Sequence, residues 1–156
     1  MAGTQALKFL TAAGIEVSLH PYEYDPNADA VGLAAAQALG LDPSLTLKTL
    51  MVEVDGKPGC CVIPSDRHLS MKKVAVAFSG KSATMMLPAK AEKLTGYYVG
   101  GISPFGQKRR VPTVFEETAC TAPKVWINAG ARGLLLGIAA EDAVMAVAAK
   151  RSSLVA

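Results

Sequence analysis

Two apolar runs, Leu47 to Val54 and Gly59 to Ile63, flank the segment Asp55-Gly56-Lys57-Pro58. An Asp-Gly pair between such runs is a strong signal for an antiparallel hairpin, because the turn needs backbone torsions that those residues tolerate. The middle of the chain is thereby committed to a β-sheet. Upstream, Ile15, Val17 and Leu19 alternate with Glu16, Ser18 and His20 at the period of a strand. From Tyr97 onward short strands dominate (Tyr97–Val99, Val111–Phe115, Lys124–Ile127 and Leu134–Ile138), with glycine-rich segments between them.

Helical segments are interleaved with these strands. Thr4 caps a helix through Ala13, and Gly14 stops it. After a loop over Pro21–Asn27, Ala28–Leu39 reads as an alanine-rich helix ended by Gly40. Ser70 caps a helix through Phe78, with Leu69 and Val74 placed as a hydrophobic staple. Pro88 opens another through Leu94. Ala140–Lys150 closes the chain as a helix, with Glu141 and Asp142 in its first turn and Lys150 and Arg151 at its end. Hairpins mixed with short helices point to an α+β fold around a mixed sheet. No repeat, low-complexity tract or linker divides the chain, so residues 1–156 are expected to form one domain.

Composition narrows the class. With 156 residues the chain is long enough to bury roughly 70% of its unfolded surface. At 51% hydrophobic and 19% charged it is not a disordered sequence. The positive mean hydropathy reflects 26 alanines, and every apolar run is broken well short of the ~20 residues of a membrane span. Met1 to Leu10 has no basic region followed by an unbroken apolar stretch, so no signal peptide is expected. Three cysteines, two of them adjacent (Cys60, Cys61), do not suit a disulfide framework, so we expect a reduced, soluble, cytoplasmic chain.

Standard catalytic machinery is missing. The two histidines, His20 and His68, lie far apart in sequence and no Cys-x-x-Cys is present, so neither a metal nor a cofactor is expected. Gly80-Lys81-Ser82 resembles the end of a Walker loop, but Ala75 stands where the first glycine is required. Gly101-Ile102-Ser103 fails as a nucleophile elbow because Phe105 replaces the second glycine. Cys60, Cys61 and Cys120 sit in or beside apolar runs and read as buried, inert thiols.

Three features remain. Lys48 shares strand parity with Leu50, Val52 and Val54, so it must snorkel, pair or lose proton affinity. The segment Thr95-Gly96-Tyr97-Tyr98-Val99-Gly100-Gly101-Ile102-Ser103-Pro104-Phe105-Gly106 suits a loop offering backbone N–H groups to an oxyanion or phosphate. Charge, finally, is asymmetric. Residues 1–66 hold three basic and eight acidic groups, net −5; residues 67–156 hold thirteen and five, net +8. The basic half includes Lys108-Arg109-Arg110 directly after the glycine loop and Arg132 in the Ala129–Gly133 turn, a pattern that fits a nucleic-acid backbone. Tyr22 and Tyr24 in the 21–27 loop are candidates to stack on a base.

At these residues the chain resembles the YbaK family of free-standing aminoacyl-tRNA deacylases, which are similar to the editing insertion domain of prolyl-tRNA synthetase. The resemblance spans nearly the whole chain. It rests on His20-x-Tyr22-x-x-Asp25-Pro26, Lys48-Thr49-Leu50, Lys72-Lys73-Val74-Ala75, the 95–107 segment through Gln107, and Arg132-Gly133-Leu134. It implies a single-domain α+β fold with a mixed, mostly antiparallel, partly barrel-like sheet flanked by short helices. It also implies hydrolysis of the ester joining a wrong amino acid to tRNA, most often cysteine on proline tRNA. Lys48, Gly100, Gly101 and Ser103 fall on the family's catalytic positions. Lys48 would position the terminal phosphate or ester, and the loop would orient the ester carbonyl. Substrate contacts would fall to Tyr22, Ile102, Pro104, Phe105, Asn128 and Gly130, and tRNA contacts to Lys108, Arg109, Arg110 and Arg132. The implied partner is the tRNA acceptor end, with prolyl-tRNA synthetase as a transient one.

The family pattern also explains the missing nucleophile, since in its cysteine-specific members the substrate's own thiol attacks its carbonyl. Many such members read Ser-Gly-Gly-Lys-Arg-Gly-Leu-Asp where this chain has Asn128-Ala129-Gly130-Ala131-Arg132-Gly133-Leu134-Leu135. Serine has become Asn128 and aspartate Leu135, which opens an alternative: a deacylase for alanine on proline tRNA, with water as nucleophile. Two others are a non-catalytic RNA-binding module and a small-molecule binder that uses the loop for a phosphate.

Overall fold

In chain order the elements are α1 (Gln5–Ala12), β1 (Ser18–Pro21), α2 (Val31–Leu39), β2 (Thr46–Val54), β3 (Lys57–Pro64), α3 (Met71–Ala77), β4 (Ala83–Met85), α4 (Pro88–Thr95), β5 (Thr113–Glu116), a 3₁₀ turn (Glu117–Thr121), β6 (Lys124–Ala131), β7 (Leu134–Ala139), α5 (Ala140–Ala146) and β8 (Lys150–Ser152). This computed structural model describes residues 3–28 and 30–156. Met1 and Ala2, part of the segment read for a leader, and Asp29, inside the expected Ala28–Leu39 helix, lie outside the described residues.

The hairpin β2–β3 forms with Val54 opposite Lys57 and Lys48 opposite Ile63. It sits at the centre of an eight-stranded sheet of order β1-β7-β6-β2-β3-β5-β8, with β4 added on β2. Four pairings are antiparallel and three parallel, which makes the sheet mixed as expected. The second edge of β2 is divided. Thr46 and Leu47 pair with β6, whereas Val52 to Val54 pair with β4. Between them the sheet forks at residues 48–51.

Local chemistry places the helices. Thr4 Oγ1 accepts from the Leu7 N–H at 3.1 Å and donates to the Ala129 carbonyl, so one hydroxyl caps α1 and ties it to β6. Ser70 Oγ accepts from the Lys73 N–H, and Gly40 ends α2 in the left-handed region. Two apolar clusters lie on the two faces of the sheet. One gathers Leu7, Leu10, Met51, Cys60, Phe105, Phe115 and Ile127; the other gathers Val52, Cys61, Ile63, Val74, Val114 and Leu154. Adjacent strand residues point to opposite faces, so Cys60 enters the first cluster and Cys61 the second. Among the described residues no helix is long and apolar enough to cross a membrane.

Two expectations are corrected. Tyr97–Val99 is not a strand: Tyr97 is buried with its hydroxyl on the Phe105 carbonyl, and the Val99 N–H donates to Glu92, so this backbone joins no ladder. The last helix stops at Ala146 because Ala148 turns left-handed (φ 51°), and Lys150–Ser152 leaves as β8 beside β5. Behind β8, the buried Glu116 carboxylate accepts from the N–H groups of Leu154, Val155 and Thr118 and from the Thr118 hydroxyl, anchoring the tail.

Candidate functional site

The fork in the sheet opens a cleft of about 400 Å³. Its floor is Lys48 to Met51; Asn128 and Leu135 line one side, Met85, Met86 and Pro88 the other. Residues Val31, Gly32 and Ala35 of α2 cover it, and Tyr22, Gly100 and Ile102 close the rim. Gly32 lets α2 lie this close: a Cβ there would come within 2.9 Å of Ser65 Cβ and 3.7 Å of Lys48 Cβ.

Lys48 is partly buried at the fork. Burial lowers its pKa from the ordinary lysine value, while the carboxylate of Asp66 acts in the opposite direction. A lysine on an apolar parity is tolerated here because the strand edge is unpaired and the side chain reaches cleft solvent. Thr49 also lines the cleft, and its hydroxyl oxygen is buried without a hydrogen-bond partner. Burial pushes the Tyr22 phenol above its ordinary range.

The glycine loop is held by groups that are themselves distant in sequence. Asn128 Nδ2 donates to the Gly100 carbonyl at 3.1 Å, and its Oδ1 accepts from the N–H groups of Gly130 (2.7 Å) and Ala131 (3.2 Å). One amide side chain thus staples the β6–β7 turn to the loop. Arg132 adds a second staple: its Nε donates to the Val99 carbonyl at 3.0 Å, and its guanidinium lies 5.4 Å from the Tyr24 ring and 5.7 Å from the Tyr98 ring. Gly100 has φ 93°, and a Cβ there would meet the Tyr24 hydroxyl at 2.7 Å, so only glycine fits. The N–H groups of Gly100 and Ile102 donate to no group among the described residues.

Of the expected site residues, the structure therefore brings Tyr22, Lys48, Gly100, Ile102 and Asn128 into one cleft. Others it places elsewhere. The Gly101 N–H is spent on the Tyr98 carbonyl at 2.8 Å, so it is not offered to a ligand. Ser103 is fully buried, with its hydroxyl accepting from the Phe105 N–H, and braces the loop from behind. Phe105 is fully buried in the core and touches no cleft. Gly130 lies against the Tyr97 ring. Pro104 and Arg110 line a different groove with Lys8 and Phe9, and the backbone N–H groups of Lys108 and Arg109 donate to the Thr95 and Leu94 carbonyls at the end of α4. Arg132 clamps the loop from its exposed side. The sequence reading missed Gly32, Met85, Met86 and His68, which come to the cleft from elements with no local mark of it. Thr49 carried a signal, its adjacency to Lys48 in the quoted motif.

A partly buried cation beside a glycine loop with two unpartnered backbone N–H groups, around a mostly apolar pocket, can hold an oxyanion beside a small side chain. Among the described residues no carboxylate lines the cleft, and no three His, Cys, Asp or Glu side chains converge as metal ligands.

Comparison with known proteins bears on this geometry. Residues 25–145 match the family profile described as "Aminoacyl-tRNA editing domain". An Enterococcus faecalis protein named "Putative Cys-tRNA(Pro)/Cys-tRNA(Cys) deacylase EbsC" is 34% identical over 129 residues, covering 81% of this chain and 78% of that one. A proline–tRNA ligase of Nitratidesulfovibrio vulgaris is 30% identical over 89 residues, 57% of this chain but 15% of the ligase. The solved structure described as "a putative trans-editing enzyme for prolyl tRNA synthetase" superposes with a TM-score of 0.80 at 20% identity, covering 97% of this chain and 92% of that one, and shows the same fold.

Proposed function

This chain belongs to the aminoacyl-tRNA editing domain family, and from that premise we propose that it hydrolyses mischarged tRNA in trans, with Cys-tRNA(Pro) as substrate and without a metal ion. The observation that carries the reading is the cleft at the sheet fork, which Lys48 lines together with Tyr22, Asn128 and the glycine-loop residues Gly100 and Ile102.

In this reading Lys48 holds the terminal phosphate or ester of the tRNA, and the loop N–H groups receive the carbonyl oxygen as it gains charge. The substrate's thiol sulfur attacks its own ester carbonyl carbon. The S–C bond forms, the C–O bond to the ribose breaks, and the ribose oxygen leaves as a hydroxyl carrying the thiol proton. Water then opens the cyclic thioester to free cysteine. Positioning supplies the rate, since an intramolecular attack in a fixed geometry has a high effective molarity. The tRNA acceptor end is the partner that this chemistry requires.

The test is deacylation of Cys-tRNA(Pro) beside Ala-tRNA(Pro), each with wild type and Lys48→Ala, in the presence of a chelator. We expect loss of the cysteinyl ester only, with the rate falling at least ~100-fold in Lys48→Ala. An unchanged rate in that variant would remove Lys48 from the site. Loss of the alanyl ester would put a water in the mechanism, and dependence on metal would overturn the metal-free step.

A further inference from the structure

The strand registers set two rows of side chains across one sheet face. Ser18, Gly137, Trp126 and Thr46 form one row; His20, Leu135 and Asn128 form the next, which runs on toward Lys48. The second row ends in the cleft. The first carries Trp126, the sole tryptophan of the chain.

Trp126 is only partly buried, and its indole N–H has no hydrogen-bond partner. The Lys124 ammonium lies 5.4 Å from its ring centroid, and the His20 ring meets it edge-on at 6.4 Å. Gly137 makes this arrangement possible. A Cβ there would come within 2.5 Å of Ser18 Oγ, 2.7 Å of Lys124 Cε and 3.0 Å of Trp126 Nε1. A groove of about 360 Å³ continues past Ser18, Lys124 and Gly137, with the exposed Glu16 at its far end.

We propose that Trp126 is a stacking platform for the single-stranded 3′ nucleotides that lead into the cleft, with Lys124 as the cation for their phosphate. This rests on the deacylase reading and names a second part of its RNA-binding surface. Three observations favour a nucleic-acid strand as occupant. The platform is continuous with the cleft, since Trp126 and Asn128 are two residues apart on β6 with the same parity. From Lys124 to Asn128 the strand covers ~13 Å, room for a few nucleotides at ~3.4 Å per stacked step. The groups offered are a partly exposed aromatic ring and an exposed cation beside it, which suit a base and its phosphate whatever the sequence. In the free protein the lysine occupies the ring face; on binding, a base takes that face and the ammonium moves to the phosphate.

A sole tryptophan makes the test direct. An RNA hairpin with an unpaired 3′ extension is titrated into wild type while indole emission is followed, beside the same hairpin trimmed to a blunt end. The expected result is saturable quenching by the extended hairpin alone. Trp126→Leu should raise KM for the acylated RNA about tenfold, and by more than it lowers kcat, while Trp126→Phe restores most of the loss. Thermal melts of both variants establish that they are folded. If the ester is cleaved yet emission does not change and KM is unmoved in Trp126→Leu, the platform is wrong and the deacylase reading stands. If emission is quenched by the extended hairpin but no ester is cleaved, the surface stands and the activity falls. Equal quenching by the blunt hairpin would overturn the single-strand assignment.

Discussion

At the scale of the residue, Asn128 does work that its chemical type made hard to foresee. It stands where many family members resemble one another in carrying serine, and the expectation was a substrate contact. Asn128 lines the cleft, and its two amide atoms also join two backbone segments at once. Asn128→Ala should therefore cost about 1–2 kcal/mol of stability, since three hydrogen bonds are lost in a partly buried turn. It should also slow deacylation by at least ~10-fold, because Gly100 is no longer held. Asn128→Asp isolates one half of the staple: it keeps the acceptor for Gly130 and Ala131 but cannot donate to the Gly100 carbonyl. We expect the slow rate of Asn128→Ala, with a lowered urea midpoint because a carboxylate oxygen then faces the Gly100 carbonyl, and a fast rate in Asn128→Asp would show that the staple is unimportant. Lys48, Tyr22, Gly100 and Ile102 were legible because each breaks a local rule: a lysine on an apolar parity, a tyrosine in a loop, paired glycines before Ile-Ser-Pro. Met85, Met86 and Gly32 break no rule, and only the sheet fork and α2 bring them in. Gly101 and Ser103 looked equivalent to their neighbours in sequence, yet a turn bond takes the Gly101 N–H and full burial encloses Ser103.

At the scale of the element, the tail strand is held by one buried carboxylate. Burial alone would raise the Glu116 pKa, but four hydrogen bonds, from the Leu154, Thr118 and Val155 N–H groups and the Thr118 hydroxyl, hold it below the ordinary value of 4.5. A depressed carboxyl pKa contributes stability that is present above the unfolded value and is lost as pH falls through the folded one. Glu116→Gln should cost about 2–3 kcal/mol at pH 7, because an NH₂ group then faces N–H donors. Below about pH 4.5 the gap between wild type and Glu116→Gln should close, and urea midpoints measured at pH 7 and pH 4 check both statements. A constant gap across that range would mean that Glu116 is not the anchor. None of this was readable beforehand: β8 looked like the end of a helix because its charges suited a helix C-terminus, and the left-handed Ala148 leaves no sequence mark. The central hairpin and the caps at Thr4 and Ser70 were readable because their signals lie within a few residues of what they control.

At the scale of the whole molecule, the sheet joins the β2–β3 and β6–β7 hairpins to each other and to the remaining strands by pairings of high sequence separation, and it divides the interior into two apolar halves. Cys60 and Cys61 sit on the β3 strand between those halves, both fully buried. Burial pushes the Cys60 thiol up to about 12, Cys61 upward as well, and raises the partly exposed Cys120 by less. A thiolate-selective reagent at neutral pH should therefore modify native protein at Cys120 alone, and all three thiols after unfolding in urea. Rapid native labelling of Cys60 would contradict the burial. Followed over hours by peptide mapping, the neighbouring thiols become a two-channel clock. Each reports the opening frequency of a different half of the interior, although one peptide bond separates them. Matched rates would mean that the halves breathe as a single cooperative unit; unequal rates would identify the half that exchanges with solvent first, and so the foldon nearest the threshold of unfolding.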